Sequence, residues 1–255
     1  MDDHRTEQIA TEVLATAAPL PPATTPFGRA SRDFLYAQVW SRPGLSRRDR
    51  RFVTLTCVAA ADAPRPIDDH VYAALASGDL TLEELLEFVL QFAVYCGWPK
   101  ASHIEGVIAR QWDRLHRERG EETPPWPELP DASLGPNDWE KRLARGTEEF
   151  IDVNLTPAPP RNSPYRHAGI LNFVFGHVWQ RPGLTRRERR IITVASVALD
   201  DSPTPLRTHV ASALHSGDIG KAEMDEIVLH FAAYYGFAKG EALADAVETA
   251  WATMP

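Results

Sequence analysis

The chain contains an internal duplication, which limits the folds that it can adopt. Residues 39–100 return without a gap as residues 178–239, at a constant offset of 139 residues, and 32 of the 62 aligned positions are identical. Solenoid repeats have periods of roughly 20–50 residues, so this period is too long for one. Each copy is therefore a small domain. We predict a first domain at residues 1–119, a proline-rich linker at 120–135 and a second domain at 136–255.

The composition is that of an ordinary globular protein. Of 255 residues, 44% are hydrophobic and 24% are charged, as in packed domains. The net charge of −8 argues against a general nucleic-acid binder, which needs a basic face. No apolar run is long enough for a membrane span, and the acidic start lacks the apolar segment of a secretory signal. We expect a cytoplasmic protein whose partners include neither nucleic acid nor membrane.

Periodicity and capping signals predict an all-α fold. Ser46 and Thr185 each stand three residues before an acidic residue, the spacing of a capping box, and apolar runs follow both. Prolines then end these helices. The next helices run from about residue 67 to 77 and from about 206 to 216, and end at Gly78 and Gly217, which suit left-handed caps. The alternation of apolar and polar residues that marks strands is absent.

Two pairs of retained polar residues are candidates for chemistry. His70 and His209 open equivalent helices, and histidine is the common acid–base group near neutral pH. A histidine tied to a carbonyl or carboxylate at a helix end would give the same pattern. Glu84 and Glu223 share a helix face with a second glutamate, but they also fit the reciprocal position of a capping box.

Other patterns are less informative or absent. The retained Tyr95 and Tyr234 are interpreted as packing groups with a satisfied hydroxyl. Cys57 and Cys96 are too few for a disulfide framework and are interpreted as buried thiols. The sequence contains no zinc motif, phosphate-binding glycine loop or hydrolase elbow. We predict neither a metal nor a cofactor.

The repeated pattern resembles the carboxymuconolactone decarboxylase family. Both copies contain Trp-x-Arg-Pro-Gly-Leu-x-x-x-x-Arg, then His-Val-x-x-Ala-Leu-x-x-Gly, then Glu-x-x-Glu followed by Tyr-x-Gly. The resemblance implies two tandem helical domains of the alkylhydroperoxidase D-like type, packed as an intramolecular pseudo-dimer. Related proteins form rings of six such domains. We therefore expect a homo-oligomer, a trimer of fused chains.

The redox branch of this superfamily carries a Cys-x-x-Cys centre. The matching positions here are Ala63 and Pro66 in the first copy, and Ser202 and Pro205 in the second. None of these side chains can form a thiolate or a disulfide. The resemblance therefore implies a carboxy-lyase and not a peroxidase.

The resemblance also implies roles for the retained residues. A decarboxylase of this type needs no cofactor because the substrate's own conjugated group accepts the electrons. Guanidinium groups suit a carboxylate, and histidine suits proton delivery. The predicted catalytic residues are His70, His209, Glu84 and Glu223, and the predicted substrate-binding residues are Arg50, Arg189, Trp40 and Trp179.

Three functions remain open from sequence alone. The chain is a decarboxylase of a small lactone or β-keto acid, a cofactor-free isomerase or cyclase of a small cyclic metabolite, or a silent assembly or ligand-binding member. A polar cavity with an arginine inside it would favour an acid, an apolar cavity the second function, and a filled one the third. The copies differ at Gln91 and His230, so their sites need not be equivalent.

Overall fold

The computed structural model describes residues 3–16, 22–129, 134 and 138–254, and in this part of the chain every regular element is a helix. The first half contains α1 (Asp3–Leu14), α2 (Pro26–Ala30), a first π-helix (Ser31–Trp40), α3 (Arg47–Ala60), α4 (Pro64–Ala76), α5 (Leu82–Cys96) and α6 (Trp98–Arg119). The second half contains α7 (Trp139–Asn154), a second π-helix (Tyr165–Phe175), a 3₁₀ turn (Val178–Gln180), α8 (Arg186–Leu199), α9 (Pro203–His215), α10 (Lys221–Tyr235) and α11 (Phe237–Ala252). The predicted all-α class is confirmed.

Equivalent helices pack in equivalent ways in the two halves. Helix α1 lies on the first π-helix and α4, as α7 lies on the second π-helix and α9. The halves meet through α3 and α8, while α10 packs across on α3 and α5 packs across on α8. One apolar core runs through both halves. The predicted intramolecular pseudo-dimer is confirmed.

Polar caps set the starts of the two interface helices. Ser46 Oγ accepts a hydrogen bond from the Asp49 amide at the start of α3, and Thr185 Oγ1 accepts from the Glu188 amide at the start of α8. Glu188 also accepts from the Thr185 amide at 2.7 Å, which completes the capping box. The shorter Asp49 side chain instead meets Arg187 of the other half, at 3.2 Å.

Helices α4 and α9 start earlier than the sequence analysis placed them. They begin at Pro64 and Pro203, whereas we expected the prolines to lie between helices. Proline is tolerated in the first turn because the amide it lacks has no intrahelical acceptor there. The predicted ends are confirmed, since Gly78 and Gly217 follow these helices with φ of +71° and +74°.

The two π-helices were not predicted. They occupy corresponding places, each leading to a tryptophan before an Arg-Pro-Gly-Leu loop. Long π-helical segments are rare, and π-turns are frequent at functional sites. Both segments lie beside the cavities described below.

The linker is described only in part. Residues 120–129 have no regular secondary structure, and Trp112 Nε1 donates a hydrogen bond to the Pro124 carbonyl, which ties this stretch to α6. Most of the rest of the predicted linker lies outside the described residues, so the domain limits stay predictions, as does the trimer. Among the described helices, none combines the length and apolar character needed to cross a membrane.

Candidate functional site

Each half contains a cavity beside its π-helix. The first cavity, of about 760 Å³, is lined by the first π-helix, α4 and the end of α10. The second, of about 510 Å³, is lined by the second π-helix, α9 and the end of α5. His70 is in the wall of the first cavity and His209 in the wall of the second. Because α10 and α5 come from the opposite halves, both cavities depend on the pseudo-dimer.

The two histidines have matching environments. His70 is 5% exposed and His209 is 6% exposed. The His70 ring stacks on Trp40 with centroids 6.2 Å apart, and the His209 ring stacks on Trp179 at 6.3 Å. Burial lowers the pKa of each histidine to about 3, and a neighbouring buried arginine adds to the effect in each site. Both imidazoles are therefore neutral near pH 7.

A tyrosine from the opposite half meets each histidine. Tyr234 Oη lies 3.2 Å from His70 Nε2 and accepts a hydrogen bond from Trp40 Nε1 at 2.8 Å. In the second site, Tyr95 Oη accepts from Trp179 Nε1 at 3.0 Å, and its ring stands edge-on to that of the histidine. Burial raises the pKa of both hydroxyls, to about 12 for Tyr95. The tyrosines therefore keep their protons.

Behind the first site, a chain of buried polar groups crosses between the halves. Arg50 Nη1 lies 3.4 Å from His230 Nδ1, and since arginine only donates, that nitrogen accepts. His230 then carries its proton on Nε2, which lies 2.7 Å from Thr54 Oγ1. Thr54 also lies near Tyr234, where it opposes the rise that burial causes in the pKa of the hydroxyl. Tyr234 accepts from Trp40 Nε1, and we assign its own O–H as the donor to His70 Nε2.

This direction of hydrogen bonding determines the tautomer of His70. Because Nε2 accepts from Tyr234, the single proton of the neutral ring lies on Nδ1. That nitrogen has no hydrogen-bond partner among the described residues. The first site therefore has a neutral N–H donor, on a cavity-lining residue, that no protein group uses.

The second site has the same order of hydrogen-bond donors and acceptors, with Gln91 in the place of His230. Arg189 Nη1 donates to Gln91 Oε1 at 3.1 Å, and Gln91 Nε2 donates to Thr193 Oγ1 at 3.0 Å. The amide thus accepts from arginine and donates to threonine, as the His230 ring does. His209 Nδ1 also has no partner within the part of the chain that the structure describes.

The arginines predicted to bind substrate lie in buried ion pairs between the halves. Arg50 donates to Glu226 at 3.0 Å, and Arg189 donates to Glu87 at 3.3 Å. The described residues that line the cavities do not include either arginine, and the two predicted tryptophans lie against the histidines and are not in the cavity walls. A direct contact of these four side chains with substrate stays a prediction.

Glu84 and Glu223 lie at the first turns of α5 and α10. Each carboxylate accepts from the backbone amide of the residue before its helix and pairs with an arginine of α3 or α8. No hydrogen bond or ion pair found in the described part of the chain joins either carboxylate to a histidine. The cap and the ion pair account for both side chains, and their role in orienting the histidines stays a prediction.

The positions that match the redox cysteines line the cavities. Ala63 and Pro66 are in the first wall, and Ser202 and Pro205 are in the second. The two thiols of the chain lie elsewhere. Burial raises the pKa of Cys57 above its usual range, and raises the pKa of Cys96 to about 11. Neither thiol is ionised near neutral pH.

The two walls differ in charge. The first wall includes Arg32, Arg65 and Asp69. Among the described residues of the second wall, Asp200 is the one side chain with a formal charge near neutral pH. The first cavity therefore has cations for an anionic ligand, and the second has none among these residues.

Sequence analysis missed several groups that belong to the two sites. The hydroxyls of Tyr95 and Tyr234 are satisfied, as interpreted, but their partners belong to the site. Thr54 and Thr193 were not singled out, although they are identical between the copies. Their identity in the two copies was a signal that sequence analysis could have used. Arg65 could not be found by comparing the copies, because the equivalent residue is a threonine.

A known protein family matches the chain in both halves. The model of the carboxymuconolactone decarboxylase family matches residues 25–109 and 167–249. A nitrosuccinic acid decarboxylase of Metarhizium robertsii is 37% identical over 91 residues, 34% of this chain and 62% of that protein. A 4-carboxymuconolactone decarboxylase of Acinetobacter baylyi is 33% identical over 97 residues, 38% of this chain and 65% of that protein. The chain thus spans less than two thirds of the length of either relative.

Proposed function

Because the chain belongs to the carboxymuconolactone decarboxylase family, we propose that it removes carbon dioxide from a small organic acid in the first cavity, without a cofactor. The observation that carries the proposal is the neutral His70, in the wall of a cavity that also includes Arg32 and Arg65. The presence of arginine in the cavity wall is the feature that favours an acid over the other functions left open by the sequence.

The names of the two relatives indicate a class of substrate. Nitrosuccinic acid and 4-carboxymuconolactone each combine a carboxylate with a group that can accept an electron pair. In the proposed reaction, the bond between the carboxylate carbon and its neighbour breaks and carbon dioxide leaves. The electron pair moves to the acceptor oxygen, and a proton from solvent then forms the new C–H bond. No external electron sink is required.

His70 stabilises the developing negative charge. The stacked Trp40 and the contact of Tyr234 with Nε2 hold the ring in place. Nδ1 itself is buried, so the acceptor oxygen of the substrate reaches Nδ1–H only when a wall side chain moves aside. A fixed donor aimed at developing charge contributes about 10²–10³ in rate. This role differs from proton delivery by an imidazolium, because burial lowers the pKa of His70 to about 3.

Arg65 supplies positive charge for the substrate carboxylate. Its side chain is 91% exposed and lies 3.8 Å from Asp69. Exposed pairs of this kind contribute only about 0–1 kcal/mol, so a carboxylate displaces Asp69 at little cost. In this proposal Arg50 and Arg189 have a different role: they hydrogen-bond the buried polar groups that lie behind the two tyrosines.

Release of carbon dioxide from a panel of β-keto, nitro and lactone acids tests the proposal. His70→Ala is expected to lower kcat/KM about 10²–10³-fold on the best substrate. His70→Asn, whose amide nitrogen takes the place of Nδ1, is expected to recover part of this loss. Arg65→Thr is expected to raise KM with little change in kcat, because it removes binding common to ground and transition states.

Circular dichroism and thermal unfolding of each variant separate lost chemistry from lost folding. Full activity in His70→Ala would contradict the assignment to the first cavity. Full activity in the His70→Ala/His209→Ala double variant would contradict a role for either histidine. A rate profile that follows a single ionisation near pH 6.5 and disappears in His70→Asn would show that His70 titrates, against the neutral role.

A further inference from the structure

The walls of the two cavities differ in polarity at several positions. Ala61 and Ala63 of the first wall are matched by Asp200 and Ser202 of the second, while four polar side chains of the first wall have less polar counterparts. At the offset of 139 residues, charged or hydroxylated side chains beside the first cavity are matched by less polar ones in the second copy. The pairs, first copy then second, are Arg32 and Leu171, Tyr36 and Phe175, Arg65 and Thr204, and Asp69 and Thr208. The duplication has therefore kept the histidine and changed what surrounds it.

Electrostatics in the second cavity disfavour an anion. Asp200 is in its wall, where the first cavity has Ala61. Each site also has a buried arginine near its histidine, Arg51 or Arg190. This arginine does not make the two sites differ in charge, because each is paired with an aspartate at 3.0 Å. A carboxylate in the second cavity would meet a like charge and no cation among the described wall residues.

The aromatic surface and the volume of the second cavity suit a small flat ring. Trp98, Phe150 and Phe173 are in its wall together with Ile170, and the Trp98 and Phe173 rings lie 5.8 Å apart. Aromatic side chains bind unsaturated rings by stacking and edge contacts. The volume of about 510 Å³ is within the usual range for small-molecule sites.

One polar group gives the second cavity a specific contact. His209 is in the wall, is 6% exposed, and its Nδ1 has no partner among the described residues. Nδ1 has almost no solvent-accessible surface, so a ligand oxygen reaches it only when a neighbouring wall side chain moves aside. The contact would then satisfy a polar nitrogen that is costly to bury without a partner. A neutral imidazole offers that oxygen a hydrogen bond but no positive charge.

We propose that the second cavity is a binding site for an uncharged, unsaturated ring compound with a carbonyl oxygen. The ring packs among Trp98, Phe150 and Phe173, and the carbonyl oxygen meets His209 Nδ1. This site differs in ligand class from the acid-binding first cavity. The proposal does not depend on decarboxylation.

Two probes that differ by one carboxylate test it: coumarin and coumarin-3-carboxylate. Titration calorimetry of the full chain is expected to show coumarin binding at least about tenfold tighter than its carboxylate at the second cavity. Gly169→Phe is designed to fill this cavity, since a Cβ at Gly169 meets nothing within 4 Å. It is expected to abolish coumarin binding and to leave acid turnover unchanged.

The equivalent position in the first cavity provides the matched control. Ala30→Phe is expected to keep coumarin binding and to weaken binding of coumarin-3-carboxylate. Thr204→Arg, at an exposed position that matches Arg65, is expected to create carboxylate binding in the second cavity. This variant tests the charge argument even if the phenylalanine variants fold poorly.

Three results would overturn the proposal. These are no saturable coumarin binding up to its solubility limit, coumarin binding that only Ala30→Phe removes, and equal affinity of the second cavity for the two probes. Because binding is measured without turnover, a failure here is distinct from a failure of the decarboxylase assignment.

Discussion

The two halves differ more in their cavity walls than in the polar groups behind them. Arginine, glutamate, threonine, tyrosine and tryptophan recur at equivalent places, and the arginine–glutamate pairs and tryptophan–tyrosine hydrogen bonds between the halves occur in both sites. Among the buried polar groups behind the cavities, one residue differs between the halves: Gln91 takes the place of His230. The exchange keeps an acceptor facing arginine and a donor facing threonine. The walls, in contrast, have lost or gained whole charges.

This contrast has a physical reason. A buried polar group without a partner is strongly destabilising. A substitution among these hydrogen-bonded polar groups is therefore tolerated only when it preserves the order of donors and acceptors. A wall residue faces a solvent-filled space and can change its charge without leaving a partner unsatisfied. The duplicated scaffold therefore permits new ligand specificity without a new fold.

The largest expected effect lies in the buried ion pairs. Glu87 is 4% exposed and pairs with Arg181, 4% exposed, and Arg189, 1% exposed. Glu87→Ala removes the carboxylate that two buried cations share and is expected to reduce the free energy of unfolding by about 3–5 kcal/mol. Glu226→Ala is expected to cost roughly half as much, because Arg42 is 48% exposed and can turn to water.

Urea unfolding of both variants, under the same conditions, measures this difference. The control is Asp225→Ala, which removes an exposed pair within α10 and is expected to cost about 0.5 kcal/mol or less. If Glu87→Ala fails to fold, Glu87→Gln preserves the volume and tests the charge alone. Equal losses for Glu87 and Glu226 would contradict the view that burial of the second arginine decides the cost.

Much of the architecture was predictable because it follows from local signals. The repeat gave two domains, caps and glycines gave helix ends, and the family resemblance gave the pseudo-dimer. Glu84 shows the limit. Its spacing to Thr81 fits both a cap and a catalytic carboxylate, and only the structure showed the pair with Arg48 at 2.7 Å.

The neighbours of the histidines were not predictable by spacing. His70 and Tyr234 are 164 residues apart in sequence, and they meet only because α4 and α10 approach across the pseudo-dimer. The π-helices also lacked a signal, because sequence periodicity separates helices from strands but not one helical hydrogen-bond pattern from another. The sequence thus predicted the elements, while the crossing of the halves determined the site.

A smaller effect is expected from the tyrosines, and it separates stability from activity. Tyr234→Phe and Tyr95→Phe each leave a tryptophan Nε1 without its acceptor, so each is expected to cost about 1–3 kcal/mol in urea unfolding. Only Tyr234 hydrogen-bonds its histidine. We therefore expect Tyr234→Phe to lower kcat on acids with KM little changed, and Tyr95→Phe to leave kcat as it was.

The discriminating measurement is kcat for the two variants at equal folded fraction. Equal loss of kcat in both would mean that the tyrosine acts through general packing and not through the tautomer of His70. Normal kcat in Tyr234→Phe would remove the positioning role altogether.

The smallest effect at neutral pH is expected from exchanging the one residue that differs between the polar chains. His230→Gln copies the residue of the other half and keeps an acceptor for Arg50 and a donor for Thr54. We expect a change in the free energy of unfolding within about 0.5 kcal/mol at pH 7. Gln91→His is the reciprocal variant and is expected to be as mild.

The two exchanges are expected to differ in their effect on stability at acid pH. Burial, with Arg50, His70 and Arg51 nearby, lowers the pKa of His230 well below 6.5, so the unfolded chain binds a proton that the folded chain refuses. Stability is therefore lost as the pH falls below about 6.5, by up to about 1.4 kcal/mol per pH unit for each such histidine. His230→Gln is expected to flatten this slope and Gln91→His to steepen it, in urea unfolding measured from pH 7 to pH 5. A loss of more than about 2 kcal/mol at pH 7 in His230→Gln, or a slope that neither variant changes, would show that the amide and the imidazole are not equivalent in these chains.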